Sequence, residues 1–483
     1  MSKDIIKDTD IPNNNNNTNN DDEQLSHSST ETSGSNKITK PFHFLIFGIG
    51  SLLAWNVILS DIDFFDYFLK DTGLPSPTLI FPFLNFALNI TFQFIIVCTK
   101  KKYSYRSQLI LTLLLLMLTM ILLPLVVLIF NPTTGYILSC VIIFLQGLVS
   151  AICSSSFFGL VSYFKTQYIV MLSTGQGVSG ILMNVIKYVL LLTVPRPNEG
   201  DSDYKSKERK AYIIEAIIYF SIAFLILLGC LVSLLVSYTN KDFIKDLRTT
   251  DEMVIIMKGS GKQHKRFIDI EVDAMHKQPL LLNESNSKDI TGDNHDNSNN
   301  NNNNSNTYSF ISLIKTLIEV NLLIMTSYVI TFTVFPSALL KPNLFGLSTG
   351  WKFNTLTTLF NVFDTLGRKI ISSFKPNKKV LYLTTILRSI LIVLIPLNYF
   401  IEVANMNTLI VSVFLIFNSV FLGVTNGICT SLSYALAPRM VEDKLKGKSG
   451  ASVSFFNILG IFIGTCLAFG MIEVINLISG YIS

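Results

Sequence analysis

The segment QLILTLLLLMLTMILLPLVVLIF, from Gln108 to Phe130, decides the fold. It contains no charged side chain. As a helix rising about 1.5 Å per residue it covers roughly 34 Å, enough to cross a bilayer's hydrocarbon core of about 30 Å. Its apolar residues occupy every face rather than one stripe, so the surrounding solvent is lipid and not the core of a soluble domain.

Blocks of similar length recur on both sides. Before it lie 42–62 and 77–99, and after it 134–163, 168–194 and 211–238. A polar stretch intervenes, and five more blocks follow at 309–338, 353–374, 380–400, 408–436 and 449–478. Eleven transmembrane helices arranged six plus five make this an all-α membrane protein. Composition agrees: 49% of residues are hydrophobic, mean hydropathy is +0.47 and 15% are charged, against about a quarter charged in soluble domains. A secreted disulfide scaffold, a nucleic-acid binder and a soluble enzyme are excluded.

The connecting segments set the domain plan. Residues 1–41 form a polar tail containing the run Asn13 to Asn17, and 241–308 form a polar loop ending in the run Asn299 to Asn304. Both are Asn-rich and low in complexity, with too little apolar surface to offset the entropy of ordering, so both read as disordered. Residues 42–240 then make a six-helix bundle and 309–483 a five-helix bundle.

Net charge is +5, from 38 Lys and Arg against 33 Asp and Glu. That is too small to imply a polyanion partner, and no nucleic acid is expected. The placement of the positive charges carries more. Lys100, Lys101, Lys102, Arg106, Lys165, Lys369, Lys375, Lys378, Lys379, Arg439, Lys444, Lys446 and Lys448 fall in or beside alternate loops, which places the N-terminus and the central loop in the cytoplasm and the C-terminus outside. The loop 195–210 opposes this with Arg196, Lys205, Lys207, Arg209 and Lys210 on the outer side, accompanied by acids. The six cysteines lie in or beside apolar blocks without CxxC spacing, and the five histidines lie outside the blocks or at the start of the first. They give no zinc or haem pattern, and no cofactor is expected.

Block eight carries polar chemistry: Phe360-Asn361-Val362-Phe363-Asp364-Thr365-Leu366-Gly367-Arg368. Asn361, Asp364 and Arg368 share one helical face, and a carboxylate and guanidinium four residues apart can pair at membrane depth. Such a pair either locks two helices together or lines a substrate pathway, and ionisable residues inside spans usually mark a pathway. Block one reads Gly48-Ile49-Gly50-Ser51-Leu52-Leu53-Ala54-Trp55-Asn56, in which small residues allow close helix approach and Trp55 with Asn56 offers an aromatic face and an amide. Block five contains Gly175-Gln176-Gly177-Val178-Ser179-Gly180. It fits GxGxxG, but no strand precedes it, so it reads as a helix-packing surface and not a dinucleotide site. Lys187 in the same block needs an acidic partner, with Glu215 or Glu319 available. The stretch Pro279 to Leu282 is a weak dileucine-type sorting signal.

Blocks one and eight resemble the equilibrative nucleoside transporter family. Its first helix carries Gly-x-Gly-x-Leu-Leu-Pro-Trp-Asn, matched here except that Ala54 stands in place of Pro. Its eighth carries Phe-Asn-x-x-Asp-x-x-Gly-Arg, matched by Phe360, Asn361, Asp364, Gly367 and Arg368. Leu145-Gln146-Gly147, Phe335-Pro336, Asn426-Gly427 and the start of block eleven resemble family segments too, so the likeness covers residues 42 to 478. It implies a major-facilitator-like two-bundle carrier that moves nucleosides, with nucleobases a further substrate class, by alternating access and facilitated diffusion. It implies that Asp364 and Arg368, with Asn361 on the same face, meet the polar atoms of the substrate and that Gln146 meets the base. Leu52, Trp55, Leu59 and Ile461 would form an apolar wall. The setting would be the lipid bilayer of the plasma membrane. Two other classes compete: a proton-coupled carrier using a buried acid, distinguished by uptake that rises at acid pH, and a non-transporting receptor, distinguished by absence of adenosine uptake.

Overall fold

The computed structural model describes residues 41–69, 72–98, 104–194, 203–240, 243, 301–335, 338–339, 342–347, 349–403, 407–442 and 445–482. The tail before residue 41, most of the central loop with Pro279 to Leu282, the cluster Lys100 to Lys102, residues 195–202, Pro336 and Lys444 lie outside the described residues.

Among the described residues every element is helical. The first half comprises α1 (Pro41–Ser60), the short α2 (Ile62–Leu69), α3 (Pro77–Cys98), α4 (Tyr105–Ile129), α5 (Pro132–Val161), α6 (Thr166–Thr193) and α7 (Tyr204–Ser237). The second comprises α8 (Asn301–Val334), α9 (Thr349–Ile370), α10 (Lys378–Ser389), α11 (Leu391–Val403), α12 (Thr408–Leu436) and α13 (Lys446–Ile482). Short 3-10 turns, Ile371–Ser373 and Ala437–Arg439, follow α9 and α12. Local sequence sets the starts. Asn131 caps α5 by accepting the Thr134 N–H at 2.8 Å, with Pro132 in the first turn where its missing N–H costs nothing. Asn377 and Asn407 cap α10 and α12 in the same manner, each at 2.9 Å.

Among the described residues ten helices are long and apolar enough to cross a membrane, with α10 and α11 together making one of them, Lys378–Glu402. The remaining expected block, the eighth, is the helix α9, 22 residues long. Its polarity sets it apart from the ten, because Lys352, Asp364, Arg368 and Lys369 fall on it. The seventh block starts earlier than residue 309: α8 begins at Asn301, inside the stretch read as loop. Once the apolar segment is helical, each added residue gains one hydrogen bond without a new nucleus, so the helix extends into the Asn run.

Packing follows the small residues. α1 lies along α6, and Gly48 faces Gly175 so closely that a Cβ on either would strike a backbone carbonyl of the other helix. α8 lies along α13, α9 along α12 and α3 along α5. The halves meet where α6 packs on α9 and where α13 packs on α3 and α5. Many leucines, isoleucines and valines on α4, α7, α10 and α11 point outward and stay exposed, Ile386 at 68% and Leu225 at 61% among them. In water such a surface would drive aggregation; in lipid it is the normal exterior.

Candidate functional site

A cavity of about 180 Å³ lies on the seam between the halves. It takes side chains from α1, α3, α5 and α6 on one side and from α8, α9, α12 and α13 on the other. Leu52, Trp55 and Leu59 line it from α1, and Ile461 lines it from α13. Trp55 is held by an edge-to-face contact with Phe86, centroids 5.0 Å apart, so its ring is a fixed wall. Phe335 and Phe360, which also line the cavity, stack at 4.7 Å.

Asn361, Asp364 and Arg368 all face this space. Arg368 Nε donates to Asp364 Oδ2 at 2.7 Å, both side chains being almost fully buried. Arg368 Nη1 reaches across the seam to α6, donating to the Ser173 carbonyl and hydroxyl at 3.0 Å each and to Gln176 Oε1 at 3.4 Å. Asp364 Oδ1 accepts from Asn426 Nδ2 at 2.7 Å, and Asn426 Oδ1 accepts from Thr331 at 3.0 Å and from Arg388 at 3.3 Å. A carboxylate can accept about four hydrogen bonds, so Asp364 has two lone-pair directions beyond those donors. Asn361 lies against Gly180 of α6, where any Cβ would strike its amide. The Gly175 to Gly180 run is therefore a packing surface, as its lack of a preceding strand indicated.

Polar groups that the sequence reading did not single out complete the lining. Asn85 and Asn89, one turn apart on α3, face the cavity, and Asn89 accepts from Gln93 at 3.0 Å. Their four-residue spacing with Gln93, polar inside an apolar block, was the available signal. Asn56, next to Trp55, donates to Ser179 at 2.6 Å, Ser60 donates to Asn184 at 2.9 Å, and Tyr328 shares a hydrogen bond with Thr430 at 2.9 Å. Phe158 and Tyr434, both in the lining, stack with centroids 3.7 Å apart.

Gln146 departs from its expected place. It is fully buried, neither atom of its amide has a hydrogen-bond partner, and it is not among the lining side chains. Its neighbour Gly147 brings α5 directly against the backbone of Asn85 on α3. Lys187 finds Glu215 at 2.6 Å together with Asp61 at 2.6 Å and Asp63 at 2.9 Å, while Glu319 pairs with Lys378 at the surface.

Asp364 and Arg368 are the only charged side chains lining the cavity among the described residues, and they neutralise each other. The surface therefore combines aromatic and aliphatic walls with several amides, hydroxyls and one internally balanced ion pair. That combination suits an uncharged solute with a flat apolar face and a polar rim.

The family model described as nucleoside transporter matches residues 138–473. "Equilibrative nucleotide transporter 7" of Arabidopsis thaliana is 23% identical over 434 residues, covering 87% of this chain and 92% of that protein. "Equilibrative nucleoside transporter 2" of Rattus norvegicus is 23% identical, covering 88% of this chain and 95% of its own. Among solved structures, the major facilitator superfamily proton:xylose symporter XylE bound to 6-bromo-6-deoxy-D-glucose superposes with a TM-score of 0.56 at 12% identity, covering 92% of this chain and 90% of that one. The fold is thus major-facilitator-like. Family and fold are those of transporters and not of enzymes.

Proposed function

The chain belongs to the nucleoside transporter family, and from that membership we propose that it carries nucleosides, not nucleotides, by alternating access around the cavity on the seam. A multi-pass membrane carrier of nucleosides or nucleotides is what the family and the fold establish. The choice between the two substrate classes rests on one observation: Arg368, the one lining cation among the described residues, is committed to Asp364 and Ser173. A phosphate brings one to two negative charges, and burying them without a free cation costs far more than the contacts return. A neutral nucleoside avoids that cost.

In this reading the base lies against Trp55, Leu52, Leu59 and Ile461, and Asp364, Arg368 and Asn361 meet the hydroxyls and ring nitrogens. The lone pairs left on Asp364 accept from ribose hydroxyls. Because Arg368 also bonds α6 across the seam, substrate arrival and the contact between halves involve the same side chain. The six-helix and five-helix bundles rock about this point and expose the cavity to either side in turn. The Lys and Arg bias supports a cytoplasmic N-terminus and an outer C-terminus, and we assign the carrier to the plasma membrane.

The test is uptake into liposomes containing the purified full chain. Saturable entry of labelled adenosine, inhibited by unlabelled nucleosides and untouched by AMP at the same concentration, is expected. Equal inhibition by AMP would overturn the substrate assignment.

A further inference from the structure

Across the cavity from α9, the helix α3 contributes three polar side chains to the lining: Thr78, Asn85 and Asn89. The first two direct their donors elsewhere. Thr78 gives its hydroxyl proton to Asp66 Oδ2 at 2.6 Å, and Asn85 Nδ2 donates to the Ile143 carbonyl of α5 at 3.4 Å. Asn89 is held the other way round. Gln93, one turn later and fully buried, donates from Nε2 to Asn89 Oδ1 at 3.0 Å. An asparagine has one amide oxygen that accepts and one amide nitrogen that donates. With the oxygen occupied, the nitrogen is what Asn89 offers the cavity. Among the described residues Asn89 Nδ2 has no partner in the protein, and it is not sealed off as Gln93 Oε1 is.

The walls of the cavity decide which part of a nucleoside meets this donor. Trp55, the face for the base, is pinned to Phe86, which lies three residues before Asn89 on α3. Phe86 in turn meets Phe332 of α8 edge-on at 6.1 Å, so this part of α3 is fixed from both sides. The ribose hydroxyls are drawn the opposite way, to the carboxylate of Asp364 on α9. A nucleoside spanning the two brings to α3 the edge of its base farthest from the sugar. In a purine that edge is the six-membered ring with its substituent at carbon 6. Two classes of purine differ there: an exocyclic carbonyl oxygen accepts a hydrogen bond, whereas an exocyclic amino group donates.

We propose that Asn89 is a specificity-determining residue whose Nδ2 donates to the exocyclic carbonyl of the base, so that the carrier prefers 6-oxopurine to 6-aminopurine nucleosides. The proposal rests on the nucleoside-carrier reading above. An oxo base gains a hydrogen bond from a donor already aimed at it. An amino base sets N–H against N–H and leaves that donor unpaired, a mismatch that costs more than the bond itself returns. Adenosine still enters on its ring and ribose contacts, with an affinity lower than that of inosine by about 10-fold or more. Gln93 is a positioning residue in this scheme, because it holds the Asn89 oxygen and so points the nitrogen inward.

The test is initial uptake of labelled inosine and of labelled adenosine into liposomes containing the purified full chain, with a KM for each. The inosine KM should be the lower by about 10-fold or more. Asn89→Leu keeps the side-chain volume and removes the donor; the ratio of the two KM values should fall toward one, through loss of inosine affinity. Asn89→Leu combined with Gln93→Leu leaves neither amide of the pair stranded and should give the same collapse, which covers a single variant that does not fold. Equal KM values in the original chain, or a lower one for adenosine, would overturn the proposal while nucleoside transport stands. An unchanged ratio in either folded variant would overturn it too. If neither nucleoside enters, the underlying carrier reading fails as well.

Discussion

Arg368→Lys keeps a positive charge at the floor of the cavity and removes the geometry around it. The guanidinium uses two nitrogens at once, Nε toward Asp364 at 2.7 Å and Nη1 toward Ser173 at 3.0 Å, so it ties α9 to α6 while orienting the carboxylate. A lysine ammonium is a single point on a flexible stem and cannot hold both positions. At least one charge-assisted hydrogen bond is lost, worth about 1.5–3 kcal/mol. At about 1.4 kcal/mol per decade, adenosine affinity should fall by about 10-fold to 150-fold. Equilibrium binding of labelled adenosine to the purified variant gives that number. Its melting temperature, taken in parallel, separates loss of substrate contacts from loss of fold. Native affinity in a well-folded Arg368→Lys protein would refute the reasoning.

Three further outcomes follow from the packing and the charges. Lys187→Met strips the cation from two enclosed carboxylates and should cost about 3–5 kcal/mol of stability; thermal unfolding in detergent should show a clear drop, partly recovered by adding Asp61→Asn. Gly175→Val drives side-chain atoms into the α1 backbone at the Gly48 contact, so size-exclusion chromatography should find little folded protein. Arg388→Met removes a fully buried guanidinium whose Nε and Nη1 have no partner, while Asn426 keeps its bond to Thr331; the melting temperature should hold or rise, since replacing a poorly satisfied buried charge by an apolar side chain is often neutral or favourable.

How much of this was legible in the sequence depended on the kind of signal. Uniform apolar runs such as Gln108 to Phe130 declare a membrane helix on their own, because lipid asks only for length and hydropathy. Asp364 and Arg368 stood out for the opposite reason: charges in a span are costly, and four-residue spacing joined them. The same polarity gives α9 a composition unlike that of the ten apolar helices. Faces of uncharged spans were harder to read. Gln146 and Asn85 are both amides in apolar blocks, yet Asn85 lines the cavity and Gln146 is sealed beside Gly147. Which way an amide points depends on how two helices approach each other, and one helix's periodicity does not carry that information. The Lys187 cluster is half visible in the sequence: Glu215 is a candidate partner there, but Asp61 in the turn after α1 and Asp63 on α2 carry no spacing that joins them to Lys187. Arg388 lies inside block nine, near the end of α10 and beside Thr384, Thr385 and Ser389, and its contacts with Thr331 and Asn426 come from distant blocks.

We propose that Asp364 and Arg368 meet the substrate and do not merely lock α9 in place. Binding of labelled adenosine to the double variant Asp364→Asn with Arg368→Gln tests it most directly, because neither buried charge is then left unpaired and the fold is relieved of the penalty that each single change imposes. If the pair meets substrate, the double variant is a stable, folded protein whose adenosine binding remains lost. A double variant that binds adenosine with the affinity of the original chain would contradict it and leave the pair as a helix-packing element.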